Sequence, residues 1–138
     1  MYQKDYILRM IEMFGELIRA IIGYITRGDY QLAKEKLTEA YLTFLRKDVS
    51  FFMNIPTEEL STTLMADHNY TNGHLEILAE LFYAEALLHD AKGDPAESLI
   101  FYEKALKLFT FTDEANRTYS SDRIEKISRI RTRMSEFT

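Results

Sequence analysis

A segment of this chain is echoed later at the same offsets. Gly28-Asp29-Tyr30 is followed by Ala33, Leu37 and Ala40, and Gly93-Asp94-Pro95 is followed by Ser98, Tyr102 and Ala105. A glycine tolerates the left-handed conformation that ends a helix, and an aspartate directly after it can cap the next one. A turn this short forces the two helices antiparallel, and the small residues then fall where the helices meet. Such a hairpin cannot bury its apolar side alone, so hairpins of this kind stack on one another. The chain is therefore expected to be all-α, a single domain over 1–138, built as a stack of antiparallel helical hairpins.

Size and composition allow this. At 138 residues the chain is one domain, long enough to bury a core without disulfide or metal. There is no cysteine, which removes disulfides, thiol nucleophiles and every zinc site that needs a Cys ligand. Glu12, Glu16 and Arg19 interrupt the apolar N-terminal segment, so it makes neither a signal-peptide core nor a membrane span. The expected setting is soluble and cytoplasmic. A net charge of −5 argues against nucleic acid as the main partner.

Periodicity places the helices. The first is expected from about Gln3 to Arg27, carrying two adjacent stripes: Ile7, Ile11, Phe14, Ile18, Ile21, Ile25, and Tyr6, Met10, Met13, Leu17, Ala20, Tyr24. The second runs from an Asp29 cap to about Lys47. Val49 to Met53 is apolar but short. Pro56 suits a first helical turn leading to a short helix that ends near Asp67, and Asp67 to Gly73 reads as loop. The fourth helix spans about His74 to Lys92. The fifth has Asp94 as cap, Pro95 at its first position and Glu97 two residues on, and runs to about Arg117. Ser120 or Ser121 caps the last, which reaches about Glu136 on a stripe of Ile124, Ile127, Ile130 and Met134.

Residues 79–112 resemble the tetratricopeptide repeat, a helix-turn-helix unit of about 34 residues. Phe82 stands at its first aromatic, Ala86 at the small site between the helices, His89 at its usual Tyr, and Gly93 at the turn. Ser98 and Ala105 match its second-helix small residues and Tyr102 its second-helix aromatic. Glu85, where the pattern has Leu, and Thr110, where it has Pro, depart from it. Leu17, Ile21, Tyr24, Gly28, Ala33, Leu37 and Ala40 repeat the match more weakly. The whole chain also resembles a family of small uncharacterised bacterial proteins with a tetratricopeptide-like organisation, through Tyr6 to Glu12 and Pro56-Thr57-Glu58-Glu59-Leu60. The resemblance implies a tetratricopeptide-like stack with a C-terminal helix, and no activity.

Candidate chemistry is sparse. Asp67, His68, His74 and Glu76 gather around the loop, yet no helical His-x-x-x-His or His-Glu-x-x-His spacing accompanies them, so no metal is expected. His89 and Asp90 are helix neighbours and point apart, and the glycines do not cluster into a phosphate loop. No enzymatic activity and no cofactor is expected. Glu85, on an apolar helix side, needs a buried partner, for which an Arg or a Tyr hydroxyl would serve. Segment 117–138 holds six cations (Arg117, Arg123, Lys126, Arg129, Arg131, Arg133) against three carboxylates, leaving −8 on the rest. Lys126, Arg129 and Arg133 share a face read as solvated and drawn to the acidic body, with no recognition motif for nucleic acid.

The interaction surfaces come from the resemblance. The helix face that lines a tetratricopeptide groove corresponds to Gly15, Ile18, Ile22 and Ile25 in the first hairpin, wholly apolar, and to Glu80, Tyr83, Leu87 and Asp90 in the later one, mixed and ligand-like. An apolar wall open to water needs cover, from the terminal helix or from a second copy of the chain. The sequence thus reads as a non-enzymatic protein-interaction module, self-associating through its first helix as a homodimer and binding a protein or peptide partner. The alternative is a small-ligand-binding or regulatory helical protein using the Glu80–Tyr83–Leu87 surface.

Overall fold

In the computed structural model Gly28 and Gly93 stand at φ 85° and 80°, and the backbone around them forms the same turn twice. The Gly28 amide donates to the Ile25 carbonyl and the Asp29 amide to the Tyr24 carbonyl; Gly93 repeats this to Asp90, and Asp94 to His89. These are paired Schellman closures, which satisfy carbonyls that the helix end would leave bare. The sequence echo is thus an echo of backbone hydrogen bonding. The caps differ. Asp94 Oδ1 accepts from the Glu97 amide at 3.5 Å, whereas the Asp29 side chain makes no capping bond and sits 4.0 Å from Arg27.

The structure describes residues 2–116 and 120–137, the side chains of 2–4 and 116 excepted. Seven α-helices follow in order: α1 Tyr2–Thr26, α2 Tyr30–Ala40, α3 Val49–Met53, α4 Leu60–His68, α5 Asn72–Ala91, α6 Pro95–Asn116 and α7 Ser121–Ser135. There is no strand among the described residues. The expected end of the fifth helix at Arg117, and the place of Arg117 in the basic segment, lie outside the described residues. No helix among the described residues is long and apolar enough to cross a membrane.

The middle of the chain departs most from its periodicity. The second helix does not run to Lys47: α2 gives way at Tyr41 to a five-residue π-helical turn ending at Leu45, and Arg46 closes it at φ 64°. Val49 to Met53 is a helical turn, because Asp48 Oδ1 accepts the Phe51 amide at 3.0 Å and Phe52 is fully buried. Pro56 precedes a 3-10 turn, Thr57–Glu59, that feeds α4. The Lys104 ammonium donates to the Ile55 carbonyl at 2.8 Å, and Lys107 pairs with Glu58, so two lysines of α6 pin this segment.

The fourth predicted helix starts earlier than its composition indicates. Thr71 Oγ1 accepts the His74 amide at 3.3 Å, and His74 Nδ1 accepts the Thr71 amide at 3.0 Å. This reciprocal capping box opens α5 at Asn72 and draws Gly73 into the first turn. A Cβ on Gly73 would lie 2.6 Å from Ile7 Cγ2, so the glycine is what lets α1 approach.

The core surrounds α5, which packs against α1, α2 and α6. Phe14, Ile18, Ile21 and Ile25 of α1 meet Leu75, Leu78, Ala79 and Phe82 of α5 in one buried cluster. In the α5–α6 hairpin, Ala86, Ser98 and Ala105 have no exposed surface, and Ser98 Oγ donates to the Ala86 carbonyl at 3.0 Å. The small residues of the echo are the close contacts between helices.

Gly93→Val should lower stability by more than about 1 kcal/mol, because a β-branched residue is strained at positive φ. A denaturant midpoint unchanged from wild type would show that the turn does not need glycine.

Candidate functional site

The two helices that carry most of the charge chemistry are α5 and α7. Helix α5 holds four carboxylates, Glu76, Glu80, Glu85 and Asp90, and no Lys or Arg. Helix α7 holds five cations, Arg123, Lys126, Arg129, Arg131 and Arg133, against Asp122 and Glu125. At 100° per residue, Lys126 and Ile130 are neighbours on the α7 surface, so one docking face can bury both. Ile130 is fully buried and the Lys126 side chain is 14% exposed. The expectation that Lys126, Arg129 and Arg133 form a solvated face is therefore corrected for Lys126 and Arg133, which are part-buried against α5, while Arg129 is exposed beside Tyr83; the expected attraction to the acidic body is seen in the pairs with Glu80 and Asp90. The stripe expected to be buried is only partly so, with Ile124 45% exposed.

Arg133 grips Asp90 with two bonds, Nη2 to Oδ1 at 2.8 Å and Nε to Oδ2 at 3.1 Å. The Tyr102 hydroxyl donates to the same carboxylate at 2.9 Å. Burial works to raise the Asp90 pKa, and the hydrogen bonds from Arg133 and Tyr102, with the Arg133 charge, outweigh it, holding the carboxyl below its ordinary value. Further along, Lys126 donates to Glu80 and pairs with Asp122 at 3.1 Å. Burial pushes the Glu80 carboxyl up despite that lysine. Tyr83 lies between the two pairs, 3% exposed, with the Lys126 ammonium 5.5 Å from its ring centroid and Arg129 at its hydroxyl.

Glu80, Tyr83 and Leu87 thus do lie together along one side of α5, under α7. Leu87, Asp90 and Tyr102 line a groove of about 800 Å³ completed by Ile124, Arg129 and Arg133 of α7. On the other side of α7, Gly15, Ile18 and Ile22 of α1 line a crevice of about 340 Å³ with Ile77, Glu80, Phe109 and Lys126. Ile18 and Ile25 are only 4% and 7% exposed, and Ile25 stands outside the crevice. Ile18 and Ile25 are therefore covered within the chain, while Gly15 and Ile22 are part-buried and face the crevice. What α1 leaves open is its other flank, with Tyr6 64% and Met13 65% exposed.

The carboxyl of Glu85 turns the other way, toward the π-helical turn. It is 9% exposed, and the Tyr41 hydroxyl donates to Oε2 at 3.4 Å. Burial raises its pKa to about 7, against the Tyr41 bond and Lys34, which lower it. Tyr41, fully buried, is pushed up by burial and by Glu85.

The remaining candidates separate. The His89 ring stacks on Phe101 at 5.5 Å and its Nδ1 is 3.7 Å from Asp94, while Asp90 faces Arg133. His68 packs edge-on against Phe51, His74 caps its own helix, and Asp67 is exposed. No cluster of three metal-ligating side chains occurs among the described residues.

Glu85 has a pH signature of calculable sign. With the folded pKa at about 7 and an ordinary value of 4.5, the native state binds the proton more tightly than the unfolded chain. Its contribution is fully present below pH 4.5 and falls as pH rises to about 7. Glu85→Gln should therefore gain stability over wild type by up to about 3 kcal/mol between pH 5 and 8. Parallel urea curves with no pH-dependent difference would place the carboxyl in water.

No family model, no curated protein and no solved structure matches the chain.

Proposed function

We propose that the chain is a non-enzymatic protein-interaction module, a tetratricopeptide-like stack of helical hairpins that works in the cytoplasm and self-associates through α1. The observation that carries this reading is the apolar flank of α1, where Tyr6 is 64% and Met13 65% exposed and Ala20 is also open. Leu17 and Tyr24 extend the strip, each half-buried. The strip is self-complementary: an antiparallel copy about a two-fold axis level with residue 15 sets Tyr6 against Tyr24 and Met13 against Leu17. Two-fold contacts of this kind are the commonest in oligomers.

Ile18 is no probe of this contact, since a charge at a site 4% exposed would disrupt the core. Met13 is. Light scattering at high micromolar concentration should give a dimer for wild type and a monomer for Met13→Glu, with the helical circular dichroism spectrum unchanged and the melting temperature lower only by the lost dimer stabilisation. A monomeric wild type rejects the self-association.

A second reading, a small-ligand protein, draws on the crevice of about 340 Å³ between α1, α5 and α7, which reaches the lower end of ligand-pocket size. Its floor is apolar, from Ile11, Phe14, Ile18 and Ile77, and its rim is charged, from Arg19, Glu76, Glu80 and Lys126. A Cβ added at Gly15 meets only the Arg19 guanidinium, at 3.6 Å. Gly15→Leu should therefore fill the mouth without loss of stability and abolish the shift in melting temperature caused by any amphipathic ligand that binds there. A ligand whose shift survives this substitution sits elsewhere.

A further inference from the structure

We propose that α7 is a built-in occupant of an acidic docking face on α5, and that this face takes a basic amphipathic helix from a partner protein in its place. The inference rests on the interaction-module reading but not on self-association through α1.

Helix α7 packs its backbone on α6 through a thin apolar seam, with Ile127 and Met134 part-buried beside Ile130, and reaches α5 through ion pairs. Ile130 is its fully buried side chain, and Ile124 is 45% exposed. Open spaces of about 340, 800 and 600 Å³ flank it against α1 and α5, against α5 and α6, and against α6. An element with few buried apolar contacts opens at the low end of the stability range. Ion pairs to both neighbours fix its register: Arg123 on Asp113 of α6, and Lys126 on Glu80, Arg129 at Tyr83 and Arg133 on Asp90 of α5.

The face beneath is built for that pattern. Helix α5 has carboxylates and no Lys or Arg, and Glu80, Tyr83, Leu87 and Asp90 run along it at helical spacing. A helix with Lys or Arg at the first, fourth and eighth positions of a stretch, beside one buried aliphatic, matches it as α7 does. Opposite potentials steer such a partner and disfavour acidic ones. The tether gives α7 an effective concentration of the order of millimolar, so a partner helix of equal intrinsic affinity competes poorly until the tethered pairs are weakened.

The test uses the full chain and a fluorescent peptide of residues 120–137. In Lys126→Glu/Arg133→Glu the α7 amides should lose hydrogen-exchange protection while those of α5 keep theirs. This variant should bind the peptide at least about tenfold more tightly than wild type does, because its own α7 no longer competes. A peptide bearing the same two changes should not bind. A released α7 with no peptide binding overturns the docking face, and an α7 that stays protected overturns the ionic hold. If the charge-reversed chain loses the fold, Lys126→Gln/Arg133→Gln carries the test, and loss of the α5 protection there too would make α7 part of the core and end the proposal. A variant that dimerises with α7 protected only in the dimer would replace the partner helix by a second copy. Light scattering on Met13→Glu reads the α1 contact separately, so the two readings fail independently.

Discussion

Helix α5 is buried against three neighbours and yet carries four carboxylates, and the placement of the surrounding elements follows from that combination. A buried charge is costly unless it is paired and hydrogen-bonded. Glu80 and Asp90 point toward α7 and find Lys126 and Arg133 there; Glu85 points toward the end of α2 and finds Tyr41. Such pairs add little net stability against apolar replacements, because desolvation offsets attraction. They do select geometry. An α7 shifted by one residue would present Ile127 or Glu125 to Glu80 in place of Lys126. The apolar cluster drives the helices together, and the acids of α5 set the register in which α7 docks.

The same reasoning separates what the sequence discloses from what it hides. The two hairpin turns are legible because their determinants are local: a glycine at positive φ and the small residues at fixed offsets after it. The Ala86–Ser98 contact follows from them. The π-helical turn at Tyr41 to Leu45 is not legible, since nothing in its composition breaks α-helix. It arises where Tyr41 must reach Glu85 while Leu45 stays buried and its carbonyl takes the Tyr70 hydroxyl. The start of α5 is obscured for a different reason. Thr71 and His74 form a capping box in which histidine replaces the usual Glu or Gln, so a stretch polar enough to read as loop is in fact a helix start.

The candidate surfaces show the limit most plainly. The width of the α1 apolar face argues for a second neighbour, and periodicity alone does not say whether that neighbour is within the chain. Ile18 and Ile25 are covered internally, and the exposed flank falls on the companion stripe with Tyr6 and Met13. Glu80, Tyr83 and Leu87 read as a ligand surface from their mixed chemistry, and a helix does lie on them, the chain's own. The signal for that was present: a basic helix within a chain whose remaining residues sum to −8. Charge segregated along a sequence implies contact between the segregated parts, but not which helix of the acidic part receives the basic one.

A polar hold has a further consequence for dynamics. If α7 were docked by a full apolar stripe, releasing it would bare a core face and invite aggregation. Docked through Lys126, Arg129 and Arg133, it leaves behind carboxylates that water solvates readily, with Tyr83 and Leu87 as the apolar surface between them. The cost of opening is then set by the ion pairs, Arg123–Asp113 included, and by Ile127, Ile130 and Met134, and its ionic part falls as salt screens the pairs. The body exposed in this way carries the −8 of residues 1–116, which repels nucleic acid and acidic proteins at a distance. An element so attached suits a surface that is closed by default and opened by a basic competitor, because the charges that hold α7 are the charges that choose what replaces it.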